Sequence, residues 1–247
     1  MTTAGVRAFV AGATGYVGHE VVIRLTAKRW SVVAHVRPDS PSLERARDRF
    51  TRNGATVDTT PWDAEAMSRT LARIQPTHVF ALLGITRARA RARARAGGPV
   101  ESYASVDYGL SAMLLDATRR SAPGARFIYL SAIGASERAG NEYTRVRGRL
   151  EREIRESGIS ALIVRPSFIT GSDREESRPT ERIVSTIADG VLSIAARLGA
   201  HAARDRYRSL DAGQLADAMI QLAIEPFTGA RTVNGEDLWA VLRREST

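Results

Sequence analysis

The feature that most constrains this chain is a regular alternation of short apolar, β-branched runs with amphipathic helical patterns. The runs typical of strands are 6–11, 31–36, 55–57, 78–83, 126–130 and 161–164. The helical patterns cover 17–30, 43–53, the segment after Asp63, 100–121 and 143–157. Strands joined by single helices form right-handed crossovers, which place helices on both faces of a parallel sheet. The alternation therefore predicts an α/β fold with a doubly wound parallel sheet.

The regular alternation of strand and helix patterns ends after Pro166. Helical patterns cover 180–198 and 212–224, and a short strand pattern at 231–233 precedes a last helix at 238–243. We expect residues 165–247 to form a small C-terminal substrate lobe over the carboxyl edge of the sheet. A length of 247 residues suits one domain, so the chain is predicted to be a single domain over 1–247.

A glycine motif joins the first strand to the first helix. Gly12, Gly15 and Gly18 are spaced three residues apart, with Thr14, Tyr16 and Val17 between them. In a dinucleotide fingerprint the first glycine permits a tight turn, the second lets backbone approach a pyrophosphate, and the third allows close helix–sheet packing. The free N–H groups of the helix N-terminus then bind the phosphates. The strand before and the helix after the motif favour a Rossmann-type dinucleotide site.

The second strand carries the clue to the type of dinucleotide. NAD-selective sites place an acidic residue about 20 residues beyond the motif, where it holds the ribose 2′-hydroxyl. This chain has Arg37, which lies 19 residues after Gly18. Arginine pairs well with a 2′-phosphate, so we expect NADP(H) to be preferred over NAD(H). Asp39 is a competing carboxylate two residues later.

The net charge of +9 raises the question of nucleic acid. Of the 36 basic residues, 35 are arginines and only Lys28 is a lysine, which indicates a codon bias across the whole gene. The densest stretch is the alternating Arg87–Arg95 run, whose like charges favour a solvated loop. Nucleic-acid contact through this run stays a weaker alternative to a solvated insertion.

Several classes of site and location are excluded or disfavoured by composition. Cysteine is absent, so disulfides, thiol nucleophiles and cysteine–zinc sites are excluded, and four scattered histidines predict no metal site. No apolar run reaches the roughly 18 residues of a membrane-spanning helix. Residues 1–7 lack the pattern of a secretory signal. We therefore expect a cytoplasmic protein without a membrane span, either a monomer or a homodimer.

Several segments together resemble the atypical branch of the short-chain dehydrogenase/reductase superfamily, which includes NmrA-like proteins, the Tat-interacting oxidoreductase and NAD-dependent epimerase-like proteins. These segments are the glycine motif, 80–84, 106–108, 129–135, Tyr143-x-x-x-Arg147 and 165–171. The resemblance implies that the cofactor is lined by Leu83, Gly84, Pro166, Phe168 and Ile169.

The same resemblance implies three catalytic residues. Tyr143 matches the tyrosine that gives or takes a proton at the substrate oxygen, and Ser131 matches the serine that polarises the substrate, with Ser136 as a competitor. Arg147 stands where the family has a lysine that supports the tyrosine and holds the nicotinamide ribose. Arginine keeps the charge but is bulkier, so the exchange is not conservative at a packed site. Asp107 lies where related chains often carry asparagine.

The sequence as a whole predicts an NADP(H)-dependent oxidoreductase acting on a small carbonyl-type substrate, with Tyr143 as general acid/base. The alternative is a non-catalytic NADP(H)-binding sensor of the NmrA-like kind. In these folds an aspartate after the third strand often helps to position adenine. The register places Thr60 at that position and Asp63 three residues further on, so we do not expect Asp63 to contact adenine.

Overall fold

A seven-stranded, fully parallel sheet forms the centre of the molecule, as the computed structural model shows for residues 5–85, 102–167, 169–170 and 208–245. Its strands are β1 (Arg7–Ala11), β2 (Ser31–His35), β3 (Thr56–Asp58), β4 (His78–Ala81), β5 (Arg126–Leu130), β6 (Ala161–Arg165) and β9 (Ala230–Asn234). The order across the sheet is β3-β2-β1-β4-β5-β6-β9. The predicted doubly wound α/β fold is confirmed, and the strand order reverses direction between β1 and β4.

Helices cover both faces of this sheet. They are α1 (Tyr16–Ala27), α2 (Leu43–Arg52), α3 (Ala64–Ile74), a π-helix (Tyr103–Leu110), α4 (Ser111–Ser121), α5 (Glu142–Glu156), α6 (Ala212–Ile224) and α7 (Gly235–Glu245). Successive residues of a strand point to opposite faces. Ala8 and Val10 of β1 therefore pack with α1 and α6, whereas Phe9 packs on the other face with α3 and α4. Both faces are buried, which explains the continuous apolar runs of the sequence.

Helix boundaries follow the local capping chemistry. Asp63 caps α3 by accepting a hydrogen bond of 2.8 Å from the backbone N–H of Ala66. The predicted helix over 100–121 is a π-helix followed by α4. Ser102 precedes the π-helix as its N-cap, and its side chain forms a reciprocal capping box with Ser105. Helix α5 begins after Asn141, whose side chain accepts from the N–H of Thr144 at 2.9 Å.

The described part of the C-terminal tail differs from the predicted lobe. Strand β9 joins the central sheet beside β6, and α6 packs against α1, where Arg24 pairs with Asp217 at 2.9 Å. Residues 208–245 therefore extend the central sheet by one strand, β9, and add two helices, α6 and α7. A separate two-stranded sheet of β7 (Ile169–Thr170) and β8 (Leu210–Asp211) follows β6. The predicted helix at 180–198, the Arg87–Arg95 run and Phe168 lie outside the described residues.

Candidate functional site

The glycine motif forms a tight loop between β1 and α1. Gly12 has a φ of +83°, and a Cβ there would lie only 2.5 Å from the carbonyl oxygen of Leu82. A Cβ on Gly18 would collide with the carbonyl of Gly12. Gly15 donates its N–H to the Gly12 oxygen at 2.9 Å. The three glycines therefore bring the end of β1, the start of α1 and the end of β4 into direct contact.

The start of α1 presents its backbone donors. Gly15 occupies the N-cap position, where the described residues supply no side-chain cap, and the first turn of α1 carries no acidic residue. The first N–H groups of a helix have no partner inside the helix, and the helix dipole favours negative charge there. The loop is therefore suited to a phosphate group.

An open cleft of about 600 Å³ extends from this loop along the carboxyl edge of the sheet. It lies where the strand order reverses between β1 and β4, the position at which open α/β sheets bind ligands. Its walls are formed by Gly12, Thr14, Gly15, His35, Arg37, Ser40, Trp62, Leu82, Leu83, Gly84, Ile85, Val106 and Leu110. Six residues that the sequence assigned to the cofactor thus meet in one cleft: Gly12, Thr14, Gly15, Arg37, Leu83 and Gly84.

One end of the cleft is polar and aromatic. The chain turns after β2, where Ser40 donates its N–H to the Arg37 carbonyl at 3.1 Å, and the Arg37 guanidinium lies 3.8 Å from Asp39. His35 contacts the Trp62 ring edge-on at 4.8 Å. Burial lowers the pKa of His35, so that its ring is neutral near pH 7. Arg37 therefore supplies positive charge at this end.

Six further described residues assigned to the cofactor do not line the cleft: Tyr16, Val17, Gly18, Arg147, Pro166 and Ile169. The Tyr16 hydroxyl donates to the Thr170 carbonyl at 3.1 Å, which ties the glycine loop to β7. Val17 is buried in the core beneath the loop. The Pro166 carbonyl accepts from the N–H of Ile133 at 3.1 Å. These contacts hold the glycine loop and the segment after β6 in position beside the cleft.

Tyr143 and Arg147 lie on one face of α5, as their spacing of four residues predicts. The Arg147 guanidinium carbon is 4.6 Å from the centre of the Tyr143 ring, a cation–π distance. Tyr143 is half-buried and also contacts the Tyr103 ring edge-on at 5.2 Å. Arg147 is buried and donates to the Leu130 carbonyl. Tyrosine and cation are therefore in contact.

The charge of Arg147 has a buried counter-charge. Its Nη2 lies 2.6 Å from Oδ1 of Asp107 in the π-helix, and the two side chains are 5% and 0% exposed. Burial lowers the pKa of Arg147, but Tyr143, Tyr129 and Asp107 more than offset this effect and raise the pKa overall. Arg147 therefore stays charged, as one half of a neutral ion pair.

Ser131 has a different environment from the one predicted. It is 2% exposed, and its hydroxyl donates to Oε1 of Glu151 at 2.6 Å. A serine hydroxyl has a single proton to donate, so in this structure Ser131 is directed into the protein and not towards a substrate. The competitor Ser136 is exposed and accepts from the N–H of Arg138 at 3.3 Å.

Glu151 is the buried residue that the sequence reasoning missed. It is fully buried on α5, and it also accepts from Nε of Arg165 at 2.8 Å and from Arg155 at 2.9 Å. Its spacing was the available signal, because it lies four residues after Arg147 on the inward face. Trp62, Ser40, Val106 and Leu110 were missed as cleft residues because their contribution depends on how loops from separate strands meet.

Neither a metal cluster nor a membrane helix is found in the parts of the chain that the structure describes. No group of three or more histidine, aspartate or glutamate side chains there could hold a metal ion. None of the described helices is long and apolar enough to cross a bilayer.

Relatives with similar sequence extend over nearly the whole chain. "Protein fmp52-1, mitochondrial" of Aspergillus terreus is 26% identical and covers 93% of this chain and 92% of the relative. "Protein fmp52, mitochondrial" of Emericella nidulans is 28% identical, covering 92% and 91%. Several relatives from other fungi are also named mitochondrial. These names contradict the cytoplasmic location expected from the sequence, which was therefore wrong.

Solved structures with the same fold include a short-chain type dehydrogenase/reductase from Mycobacterium ulcerans. It superposes with a TM-score of 0.63 at 17% identity and covers 97% of this chain and 92% of that protein. At this identity the likeness concerns the fold. It agrees with the doubly wound α/β fold predicted from the sequence.

A sequence profile described as "NAD(P)H-binding" matches residues 12–195. The match begins at the first glycine of the motif, directly after β1, and includes β2 through β6. It covers well over half of the chain. The chain therefore belongs to the NAD(P)H-binding family.

Proposed function

We propose that this protein is an NADP(H)-dependent oxidoreductase that transfers hydride to or from a small carbonyl-type substrate. The observation that carries the proposal is the single cleft that joins the glycine loop, the Arg37 turn and the 83–85 segment. One such cleft can hold the phosphates, the adenosine ribose and the nicotinamide half of a dinucleotide in order. The substrate would enter beside the nicotinamide half, near Tyr143.

The residues present fit this cofactor. Gly12 and Gly18 pack against neighbouring backbone and so fix the loop. Gly15 would let backbone approach the pyrophosphate, and the start of α1 would bind its charge. Arg37 would pair with the 2′-phosphate that distinguishes NADP(H) from NAD(H). Leu83 and Gly84 would line the nicotinamide half. We keep Tyr16, Val17, Gly18, Pro166, Phe168 and Ile169 as residues that support the bound cofactor.

When bound in this cleft, NADPH would supply the hydride, and so the two electrons, that reduce the carbonyl carbon. Tyr143 donates its phenolic proton to the carbonyl oxygen, which completes the alcohol, and water returns the proton to the phenolate. Arg147 lies against the ring of Tyr143 and stabilises the negative charge that develops there. In the reverse direction Tyr143 accepts the proton of the alcohol.

A second function is favoured by a specific observation. Ser131 and Arg147, two of the three residues assigned to catalysis, donate to buried partners, Glu151 and Asp107. A protein that binds NADP(H) and senses it without turnover needs no substrate-facing serine. Turnover is therefore the property that separates the two functions.

The first experiment is a titration with NADPH, NADH, NADP⁺ and NAD⁺, followed by tryptophan fluorescence and calorimetry. Trp62 lines the cleft, whereas Trp30 is buried away from it. We expect a fluorescence change on NADPH binding that Trp62→Phe removes and Trp30→Phe retains. Tight binding of NADPH together with weak binding of NADH would support the cofactor assignment. If no dinucleotide binds at millimolar concentration, both the oxidoreductase and the sensor function are overturned.

The second experiment measures NADPH oxidation with 9,10-phenanthrenequinone as a probe carbonyl. Removing a general acid costs about 10²–10⁴-fold in rate, so Tyr143→Phe should lose turnover by that factor while NADPH affinity is unchanged. Tyr108→Phe is the matched control, because its hydroxyl donates to Glu153 on the outer side of α5. Binding without turnover in the wild type would support the sensor.

A further inference from the structure

Tyr143 has an aromatic neighbour that the proposed reaction does not use. Tyr103 lies at the start of the π-helix, and the centre of its ring is 5.2 Å from the centre of the Tyr143 ring. The two ring planes are inclined at 63°, an edge-on arrangement that aromatic pairs prefer. Both side chains are half-buried, so part of each remains accessible. The two rings therefore form an accessible aromatic corner at the proposed proton donor.

The place of Tyr103 follows from the way the π-helix packs on α5. Tyr103 and Asp107 are four residues apart on the π-helix, and Tyr143 and Arg147 are four residues apart on α5. Asp107 binds Arg147 at 2.6 Å, and Tyr103 contacts Tyr143. The ion pair fixes how the two helices lie against each other, and this arrangement brings the two rings together.

The π-helix that carries Tyr103 also lines the cofactor cleft. Val106, three residues after Tyr103, and Gly84, where the nicotinamide half would lie, both belong to the cleft wall. A Cβ on Gly84 would lie 3.2 Å from Nη2 of Arg147, so the cleft wall is in contact with the residue that lies against Tyr143. We therefore expect a substrate that reaches both the nicotinamide half and the Tyr143 hydroxyl to contact Tyr103.

The cation that lies against this corner is already paired. Arg147 is bound by Asp107, and its guanidinium carbon is 4.6 Å from the centre of the Tyr143 ring. A carboxylate or phosphate on the substrate would gain little from a cation whose charge is already balanced. An uncharged aromatic ring, in contrast, can stack on one ring of the corner and meet the other edge-on. The corner is therefore better suited to a neutral aromatic group than to an anionic one.

We propose that Tyr103 is a specificity-determining residue, and that the substrate is an uncharged carbonyl compound with an aromatic ring next to its carbonyl group. The ring of the substrate packs on Tyr103, which brings the carbonyl oxygen to the Tyr143 hydroxyl. This inference rests on the proposed oxidoreductase function and narrows its substrate class. Tyr103 takes no part in the proton transfer.

Two vicinal diketones separate the aromatic contact from the reaction itself. 9,10-Phenanthrenequinone carries its two carbonyl groups on fused aromatic rings, whereas 2,3-butanedione carries the same two groups between methyl groups. Reduction of either compound uses the same hydride and the same Tyr143 proton. The ratio of their kcat/KM values therefore reports the aromatic contact, because a change that affects only Tyr143 lowers both values and leaves the ratio the same.

The informative variants are Tyr103→Leu, which removes the ring, and Tyr103→Phe, which keeps it. The loss of one aromatic contact corresponds to about 3–10-fold in affinity. We expect Tyr103→Leu to lower the kcat/KM ratio of phenanthrenequinone to butanedione by that factor. In calorimetry with the NADP⁺-bound protein, the same variant should weaken the binding of phenanthrenequinone equally. Tyr103→Phe should keep the ratio within about twofold of the wild-type ratio.

Tyr108→Leu is the matched control. Tyr108 lies on the same π-helix, but its ring is covered by Arg149, whose guanidinium carbon is 4.3 Å from the ring centre. Its hydroxyl donates to Glu153 at 2.7 Å, on the outer side of α5. The loss of this aromatic ring should therefore leave the ratio at its wild-type value.

Circular dichroism and thermal melting establish that each variant is folded. If Tyr103→Leu does not fold, Tyr103→Gln also removes the ring and suits a half-buried position, and the same fall in the ratio is expected. An unchanged ratio in the folded variant would overturn the role of Tyr103 in specificity, whether both kcat/KM values stay at wild type or fall equally. A wild type that binds NADPH but reduces neither diketone would overturn the proposed function, and the substrate class with it.

Discussion

Replacing Glu151 by glutamine should destabilise the protein more than any other single isosteric change on α5. The carboxylate is fully buried and accepts from Ser131 at 2.6 Å, from Arg165 at 2.8 Å and from Arg155 at 2.9 Å. Glutamine has the same size but offers only one acceptor oxygen and two unwanted donors. The amide oxygen can still accept from two donors, but the donors that bind the other carboxylate oxygen lose their partner. For Oε2 these donors are Arg155 and Nη2 of Arg165.

The magnitude follows from how much of the network is buried. Removing one partner of a fully buried ion pair costs about 3–5 kcal/mol. Here the side chains of Arg165 and Arg155 are 25% and 43% exposed, so water can solvate part of the charge left behind. We therefore expect Glu151→Gln to lower the free energy of unfolding by about 2–3 kcal/mol.

The assay is urea unfolding followed by far-ultraviolet circular dichroism. Ser131→Ala should cost about 1.5–3 kcal/mol in the wild type, because its hydroxyl donates to a charged acceptor, and only about 1 kcal/mol beside a neutral glutamine. The two losses should therefore be less than additive. Glu156→Gln is the matched control, since Glu156 is 61% exposed beside Arg152 on the same helix, and it should cost less than about 0.5 kcal/mol.

Two results would refute this reasoning. One is a Glu151→Gln variant within about 0.5 kcal/mol of wild type, which would mean that the buried network contributes no net stability. The other is an equal cost of Ser131→Ala in both backgrounds, which would mean that Ser131 does not depend on Glu151. In the second case Ser131 would again be available as a substrate donor.

Two further predictions concern cofactor selectivity and pH. Arg37→Gln should weaken NADPH binding by about 10–100-fold in calorimetry and leave NADH binding unchanged, because a charged hydrogen bond to the 2′-phosphate is lost. Arg47→Gln, at an exposed position, serves as the control. Equal losses of affinity for both cofactors would contradict the prediction. Burial lowers the pKa of His78 from 6.5 to about 4. As the pH falls, the His78 imidazole is therefore protonated in the unfolded state before it is protonated in the folded state. About 3 kcal/mol of the free energy of unfolding is lost as the pH falls from 6.5 to about 4. His78→Phe should remove that part of the pH dependence of the unfolding free energy, and an unchanged slope would refute it.

The fold could be predicted because its signals are local. Apolar runs buried on both faces alternate with amphipathic helices, and the cap at Asp63 can be recognised from a short segment. The tail was harder, because β9 is a five-residue strand that pairs with β6, about 70 residues earlier in the chain. Only tertiary pairing decides whether such a strand extends the central sheet or forms a separate lobe.

The residues of the candidate site were likewise predictable only where local sequence spacing fixes their positions. The glycine loop and Arg37 could be placed because spacing along one β-α-β unit fixes them. Trp62 and Val106 enter the cleft from segments that meet only in the folded chain. The partner of Ser131 was equally hidden, because Glu151 is 20 residues away in sequence and a charged residue is seldom expected to be fully buried.

The arginine-rich composition of the chain explains only part of what is observed at position 147. The arginine bias of the chain explains why an arginine rather than a lysine stands there, but it cannot explain why an aspartate faces it at 2.6 Å in the interior. Without Asp107, the buried Arg147 would lose its counter-charge, which costs several kcal/mol. The two residues therefore make sense only together, and Gly84 belongs with them because a side chain there would press on both. Arg147 is thus one of three residues that pack together, and one of them, Gly84, lines the cleft. This packing connects the arginine at position 147, where the family has a lysine, with the proposed site.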